Sequence, residues 1–396
     1  MISDALLARV ACPVCLEPAG CSACGRDAQD HARCQADYDA RVRCACGGPE
    51  KVRLVPEDDT LRCPCCATAY PVHRAEGYVD LVPRASLGEV TQYADHEFHE
   101  RLGVTDAPPV LSARVKADMM RRMLAPAAGE PVLDLGCGAG KMALYAGSRG
   151  AQAAGVDVAP FFLARAASSV ELVLGDLRRL PFRKGAYPRA YSLDVLEHLD
   201  EPGVEEVLRE ARRAIGPEGR LFVYTHAMES SRLASFQRAV NRLAKRLGQR
   251  GLIDHEREAM RKSDHRNAIR SHEHFDALCA AAGLEVAERR YYNVVAKAVV
   301  EDLLLRLYEQ AKRARTATDG NGHEHEHEHE HEARTATDGN GNEHGHGHAI
   351  EGARPGRAAL GIAHVLTWFL KLDVVLFGGI RTGPFFGLLR PTRHRR

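Results

Sequence analysis

The residues best placed to do chemistry lie in Val132-Leu-Asp-Leu-Gly-Cys-Gly-Ala-Gly140, an apolar strand that runs into a glycine-rich turn, with a helix predicted from Lys141. Gly136, Gly138 and Gly140 carry no Cβ, so a nucleotide can lie against bare backbone where strand meets helix. Asp157 closes a second short strand, Ala153-Ala-Gly-Val-Asp157, 23 positions after Asp134. That is the place of a ribose-binding carboxylate in a Rossmann-like half. Dinucleotide-binding folds use a similar turn, so the turn alone does not fix the ligand. Nearer the front, ten of the twelve cysteines precede residue 67. Cys12-Pro-Val-Cys15 and Cys63-Pro-Cys65-Cys66 carry knuckle spacing, which sets four thiolates around one tetrahedral zinc and replaces a core too small to fold alone.

The elements that must hold these residues alternate in the way of a parallel sheet. A third strand, Val170–Leu174, precedes Gly175-Asp176-Leu177 and Leu180-Pro-Phe182. A fourth, Arg189–Leu193, ends in Asp194-Val-Leu-Glu-His198, and a fifth, Gly219–Thr225, follows the turn Gly216–Gly219 and leads to His226. The ordered run DLGCGAG, GVD, GDLRRLPF, LDVLEHL and IGPEGRLFVYT, roughly residues 130 to 226, resembles the class I S-adenosylmethionine (SAM) methyltransferases, closest in pattern to the group that includes quinone-biosynthesis enzymes. The resemblance implies an α/β, Rossmann-like, seven-stranded class I methyltransferase sheet. It also implies a SAM site in which Gly136, Gly138 and Gly140 approach the amino-acid tail and ribose, and Asp134 orients the loop and meets the ammonium. In that site Asp157 takes the ribose hydroxyls, Val158 packs on the adenine, and Asp176 and Leu177 bind its edge. Asp194 stands at the strand end nearest the methyl group.

Methyl transfer asks little of a protein beyond an in-line approach, a dry pocket and a base where the nucleophile must lose a proton. His198, His226 and His265 are the candidate bases. Asp194, Glu197 and His198 also fall on one turn, where related quinone-pathway enzymes hold a divalent ion with E-x-x-E-H; Asp stands here for the first Glu. A helix start with a buried imidazole is the plainer reading of that turn.

The front of the chain, LLARVACPVC…LRCPCCATAYPV…GYVDLV, resembles the small zinc-ribbon protein that activates tRNA, rRNA and release-factor methyltransferases. On that resemblance Cys12, Cys15, Cys63 and Cys66 hold a zinc, with Cys65 the alternative to Cys66. An insertion between the knuckles carries Cys21, Cys24, Cys44 and Cys46, a candidate second zinc site whose C-x-C half is tight. Residues 1–83 form the expected zinc-ribbon domain and 84–130 a linker with lead-in helices, where Tyr93 and His96 could face the methyl group. Residues 131–313 form the methyltransferase domain with a capping insertion over 229–270. Between Arg232 and Arg270 that insertion holds eleven Lys or Arg against four acids. Its face Arg238, Arg242, Lys245 and Arg246 suits a phosphate, nucleic acid or an anionic membrane.

A nine-residue segment, Ala314–Gly322, returns at Ala333–Gly341 around a His-Glu alternation, and 314–356 is expected to be disordered. Residues 357–396 supply a last helix and the antiparallel last strand. Lys371 and Asp373 interrupt the helix's apolar run, which argues against a transmembrane segment and leaves a peripheral membrane contact open. With 396 residues, 45% of them hydrophobic, the chain can build a substantial core, while a formal charge of +1 indicates no partner. Cysteine usage and the absence of an apolar leader near Met1 point to a reducing cytoplasm. The expected function is SAM-dependent methylation of a small or lipophilic metabolite. RNA methylation, with the ribbon as recognition module, and a non-catalytic SAM-binding scaffold are the alternatives.

Overall fold

The computed structural model describes residues 2–14, 54–64, 66–83, 106–229, 234–250, 265–292, 295–300, 304, 307 and 357–392. Cys15, Cys21, Cys24, Cys44, Cys46, Cys65, Tyr93, His96 and the 314–356 repeat lie outside the described residues. The strands are β1 (Val55–Glu57), β2 (Thr60–Arg62), β3 (Ala69–His73), β4 (Tyr78–Asp80), β5 (Pro131–Leu135) and β6 (Gln152–Asp157). They continue as β7 (Glu171–Leu174), β8 (Arg189–Leu193), β9 (Arg220–His226), β10 (Leu284–Tyr291) and β11 (Pro384–Pro391). All join one sheet in the order β1-β2-β3-β4-β7-β6-β5-β8-β9-β11-β10.

Strands β5 to β9 are mutually parallel and read as apolar runs, because helices cover both faces and leave no wet side to alternate toward. Strand order reverses at β5, with β6 and β7 on one side and β8 and β9 on the other, so the ends of β5 and β8 part over a crevice. β11 enters antiparallel between β9 and β10. The helix Glu201–Ile215 packs beneath β8 and β9 on Val204, Val207, Leu208 and Ala211; the Asp200 carboxylate caps it by accepting from Gly203 N at 2.9 Å.

Where a seven-stranded sheet was expected, the sheet holds eleven strands among the described residues. β4 pairs parallel with β7, Val79 opposite Val173, and brings β1 to β3 with it. The first residues also join: Ala11 N donates to Pro181 O at 2.9 Å, Arg183 N donates to Arg9 O at 2.8 Å, and Val10 bridges Phe182. The cysteine-bearing segment thus grips the chain on both sides of the turn that carries Asp176.

The last helix, Arg357–Phe377, also departs from expectation. Its window Leu360–Phe377, with mean hydropathy 1.7, is long and apolar enough to cross a membrane despite Lys371 and Asp373. Both charges turn inward here. Asp373 is buried and accepts from Val295 N and Ala296 N, and Lys371 pairs with Asp118 on the helix Leu111–Leu124, where the long helix is seated.

One buried ion pair fixes the loop after β7. Arg213, 1% exposed, donates to Leu180 O at 2.8 Å, to Phe182 O and to both oxygens of Glu210, which itself accepts from Leu180 N at 2.9 Å. Replacing Arg213 with Leu strands two carbonyls and a carboxylate without their partner. Denaturant unfolding should then show a loss of about 3–5 kcal/mol, whereas a surface change such as Arg290→Leu should cost under about 0.5 kcal/mol.

Candidate active site

The turn after β5 is built from backbone only left-handed residues tolerate: Gly136, Gly138 and Gly140 have φ of +75°, +50° and +80°. The three are not equivalent. A Cβ on Gly136 would stand 2.5 Å from Val195 Cγ2 and one on Gly140 2.9 Å from Ala166 Cβ, so these two are packed from within the fold. A Cβ on Gly138 would meet nothing within 4 Å, so Gly138 is the one of the three that faces open space. Asp157 Oδ2 accepts from Gly138 N at 2.7 Å and Oδ1 from Ala159 N at 3.1 Å. The half-buried Asp157 carboxylate thus holds the loop from both of its oxygens.

Asp134 lies below the turn, 2% exposed, with Oδ2 lacking a hydrogen-bond partner. Burial pushes its carboxyl up to about 8; Tyr191 on β8 and the Ala143 backbone oppose that rise and the Asp157 charge adds to it. Beyond β6, Val158 and Leu177 are half-buried and Asp176 is 7% exposed. Asp176 caps the short 3-10 turn Leu177–Arg179 by accepting from Arg178 N at 2.9 Å, and its carboxylate takes the Arg178 guanidinium at 2.9 Å. Its structural role is therefore satisfied within the chain, and Arg178 is a neighbour that sequence reading did not single out.

Across the switch point the crevice is charged. Asp194 adopts φ +57°, a conformation rare for a non-glycine residue, and its side chain pairs with Lys116 of the helix Leu111–Leu124. Partial burial works to raise its carboxyl, but Lys116, His226 and Lys297 hold it below the usual range. The Lys116 ammonium also lies 4.3 Å from the centre of the Tyr224 ring. The centre of this wall is Glu197, 1% exposed. Thr225 donates its hydroxyl to Oε2 at 3.1 Å, His226 Nδ1 lies 3.3 Å from Oε1, and the Glu197 carbonyl accepts from Arg266 N and Asn267 N.

All three histidines singled out from sequence meet here. His198 and His265 stack edge to face with centroids 4.7 Å apart, and their ligand atoms lie within 4.8 Å of one another and of Glu197. Asp194, Glu197 and His226 form a second such set. Lys116 and Thr225 were not among the expected site residues, and Glu197 was expected only as a possible metal ligand beside Asp194 and His198. Only Glu197 had a sequence signal, its place in Asp194-x-x-Glu197-His198; nothing local marks Lys116 on an amphipathic helix or Thr225 in a buried strand.

At the far end of the sheet Cys12, Cys63 and Cys66 converge with sulfurs within 4.8 Å of one another, Cys12 Sγ and Cys66 Sγ being 3.6 Å apart. Four sulfurs at about 2.3 Å from one zinc stand about 3.8 Å apart in a tetrahedron, so this spacing fits the metal. Tyr70 Oη lies 3.0 Å from Cys12 Sγ, where a hydroxyl can support a thiolate ligand.

Residues 133–223, the span from the glycine turn to the fifth parallel strand, match the family described as methyltransferase domain. Among curated proteins the chain is similar to the ubiquinone biosynthesis O-methyltransferase of Pseudomonas aeruginosa, 32% identical over 106 residues, covering 25% of this chain and 45% of that one. It is also similar to a sterol 4-C-methyltransferase of Caenorhabditis elegans, 29% identical over 101 residues, covering 23% of this chain and 30% of the relative. The chain thus spans less than half the length of these curated relatives. Among solved structures it is similar to phosphoethanolamine N-methyltransferase 2 of Haemonchus contortus in complex with S-adenosyl-L-methionine, with TM-score 0.41, 15% identity, and coverage of 77% of this chain and 61% of that one.

The raised Asp134 carboxyl gives a signed expectation. Its folded value, about 8, exceeds the unfolded value of about 3.9, so the stability it contributes is complete below about pH 4 and is lost as pH rises through 8. Without ligand, the melting temperature of the native chain should fall relative to Asp134→Asn between about pH 5 and pH 8, at no more than about 1.4 kcal/mol per pH unit. A parallel pair of curves would show that Asp134 titrates normally.

Proposed function

We propose that this chain binds SAM over Gly136–Gly140 and transfers its methyl group to a small, lipophilic acceptor held against the His226 side of the crevice. The observation that carries the reading is the open backbone at Gly138, with the Asp157 carboxylate at its base and the Glu197–His226 pair across the switch point. Asp157 receives the ribose hydroxyls, Asp134 the ammonium through its orphaned oxygen, and Val158, Asp176 and Leu177 the adenine. The sulfonium of SAM supplies an electrophilic methyl. The protein's task is to keep water out and to take a proton from the acceptor.

His226 is the base of choice among the three histidines. Glu197 is buried and faces its Nδ1, so the tautomer that donates from Nδ1 to the carboxylate leaves Nε2 to accept. Thr225 holds the same carboxylate from its other oxygen. His198 and His265, edge to face beside Glu197, shape the acceptor pocket. Relatives named for sterol and ubiquinone-pathway methylation favour a lipophilic acceptor over RNA. We place a zinc on Cys12, Cys63 and Cys66 with Cys15 as fourth ligand, in a folding role.

Asp157→Ala should weaken SAM binding at least about a hundredfold by calorimetry, because a charged acceptor of two hydroxyls is lost. His226→Ala should keep SAM affinity and lower the transfer rate about a hundredfold or more. Equal losses in binding and rate would remove His226 from the base role. Labelled methyl transferred into cell extract should partition with organic-soluble material; label in RNA would overturn the acceptor class. The purified chain should hold one zinc, and Cys63→Ser should lose both the metal and several degrees of melting temperature.

A further inference from the structure

The helix Arg357–Phe377 shows an unusual division of its surface. Thr367, Leu370 and Asp373 are buried against the domain, whereas only 17% of the window Leu360–Phe377 is buried. A core helix of this hydropathy would be mostly enclosed. The outward residues are Ile362, Val365, Trp368, Phe369, Val375 and Leu376, each between 48% and 74% exposed. At 100° per residue they fall on one continuous arc, together with the half-buried Leu372, and no charged side chain interrupts it. Lys371 and Asp373 lie off the arc because they are engaged inward with Asp118 and the backbone at 295–296.

A second helix bears on what covers this arc. Ala234–Gln249 contains no acid, and its Arg238, Arg242, Lys245 and Arg246 are exposed, as is Leu243 at 46%. Both helices pack on the short helix Ala296–Val299, so the basic helix and the long apolar helix are near neighbours. An aromatic pair, Trp368 beside Phe369, sits in the middle of the arc at a centroid distance of 5.2 Å. Apolar side chains near a row of cations that make no ion pair among the described residues complement the acyl boundary and the anionic headgroups of a bilayer. A protein partner would need an apolar groove rimmed with acids to do the same.

We propose that this side of the chain docks on the surface of an anionic lipid bilayer, with Arg357–Phe377 lying in the interface plane and Arg238, Arg242, Lys245 and Arg246 on the headgroups. The seat has a functional geometry. The helix Leu111–Leu124, on which the long helix rests, carries Lys116 to Asp194, and Leu111 N donates to Thr367 Oγ1 at 2.7 Å. A docked bilayer is then one helix layer from the acceptor side of the crevice. Docking itself does not depend on methyl transfer.

Trp368 is the chain's single tryptophan, so its emission reports this face alone. Titrating the full chain, without SAM, with vesicles of equimolar phosphatidylglycerol and phosphatidylcholine should shift that emission to the blue, and brominated acyl chains should quench it. Pure phosphatidylcholine should bind at least about tenfold more weakly, as should Arg238→Glu with Arg242→Glu on the mixed vesicles. Val365→Ser with Phe369→Ser should abolish vesicle binding while SAM affinity stays unchanged, which shows that the domain is folded. Emission unmoved by lipid would overturn the proposal. So would a blue shift that grows with protein concentration without lipid, which assigns the face to a second copy. Emission already blue in the free monomer would assign it to another part of the chain.

Discussion

The bond from Gly138 N–H to the Asp157 carboxylate ties together the first two strands of the parallel sheet at the point where they end. It holds the glycine turn in its left-handed shape and points a bare Cα at open space. The rest of the sheet is arranged to place that bond correctly. β5 must lie beside β6 in the register that sets Asp134 opposite Gly155, and Cys137 must pack on Gly155, where an added Cβ would stand 2.7 Å from its sulfur. A side chain at 155 would push the turn outward and draw Gly138 from its carboxylate. The ligand surface is thus fixed by contacts below it as much as by its own residues.

The two sides of the crevice are electrostatically opposite in origin. On the β5 side, burial dominates and leaves Asp134 poised between its charged and neutral forms near neutral pH. On the β8 side, Lys116 and His226 keep Asp194 ionised, and Glu197 is enclosed by Thr225 and two backbone N–H groups. The left-handed Asp194 lets the chain turn from β8 toward the Leu196–His198 turn while its carboxylate faces Lys116. Backbone strain at such a residue is tolerated because the pair compensates it.

The parts of this molecule that are local in sequence were legible there. The glycine turn, Asp157 and the strand alternation are written within a few residues of one another, and each has one economical fold. The partners that meet across the sheet were not. Glu197 and His226 stand on different elements and join only when β8 and β9 pair, so neither announces the other. The same holds for β4 and β7: a parallel pairing between distant segments has no turn to mark it, and a sheet expected to stop at seven strands continues to eleven. The length of the last helix's apolar run was also hidden in the sequence. Lys371 and Asp373 were counted as interruptions of an apolar run, whereas an ion pair and a helix cap consume them on the inner side.

The added strands also decide how the sheet ends. Without them β7 would present Glu171-Leu-Val-Leu174 as an open edge of the central sheet, an apolar row of unpaired amides on which another chain could grow. β4 occupies that edge, and the boundary moves outward to β1, three exposed residues that include Pro56 and end at Glu57. A strand that short, with one donor missing and a charge at its tip, is a poor template for further pairing. The opposite border, β10, carries Glu285, Glu288, Arg289 and Arg290 along its length. Among the described residues, the cysteine-bearing segment thus moves the edge of the sheet to a strand poorly suited to further pairing.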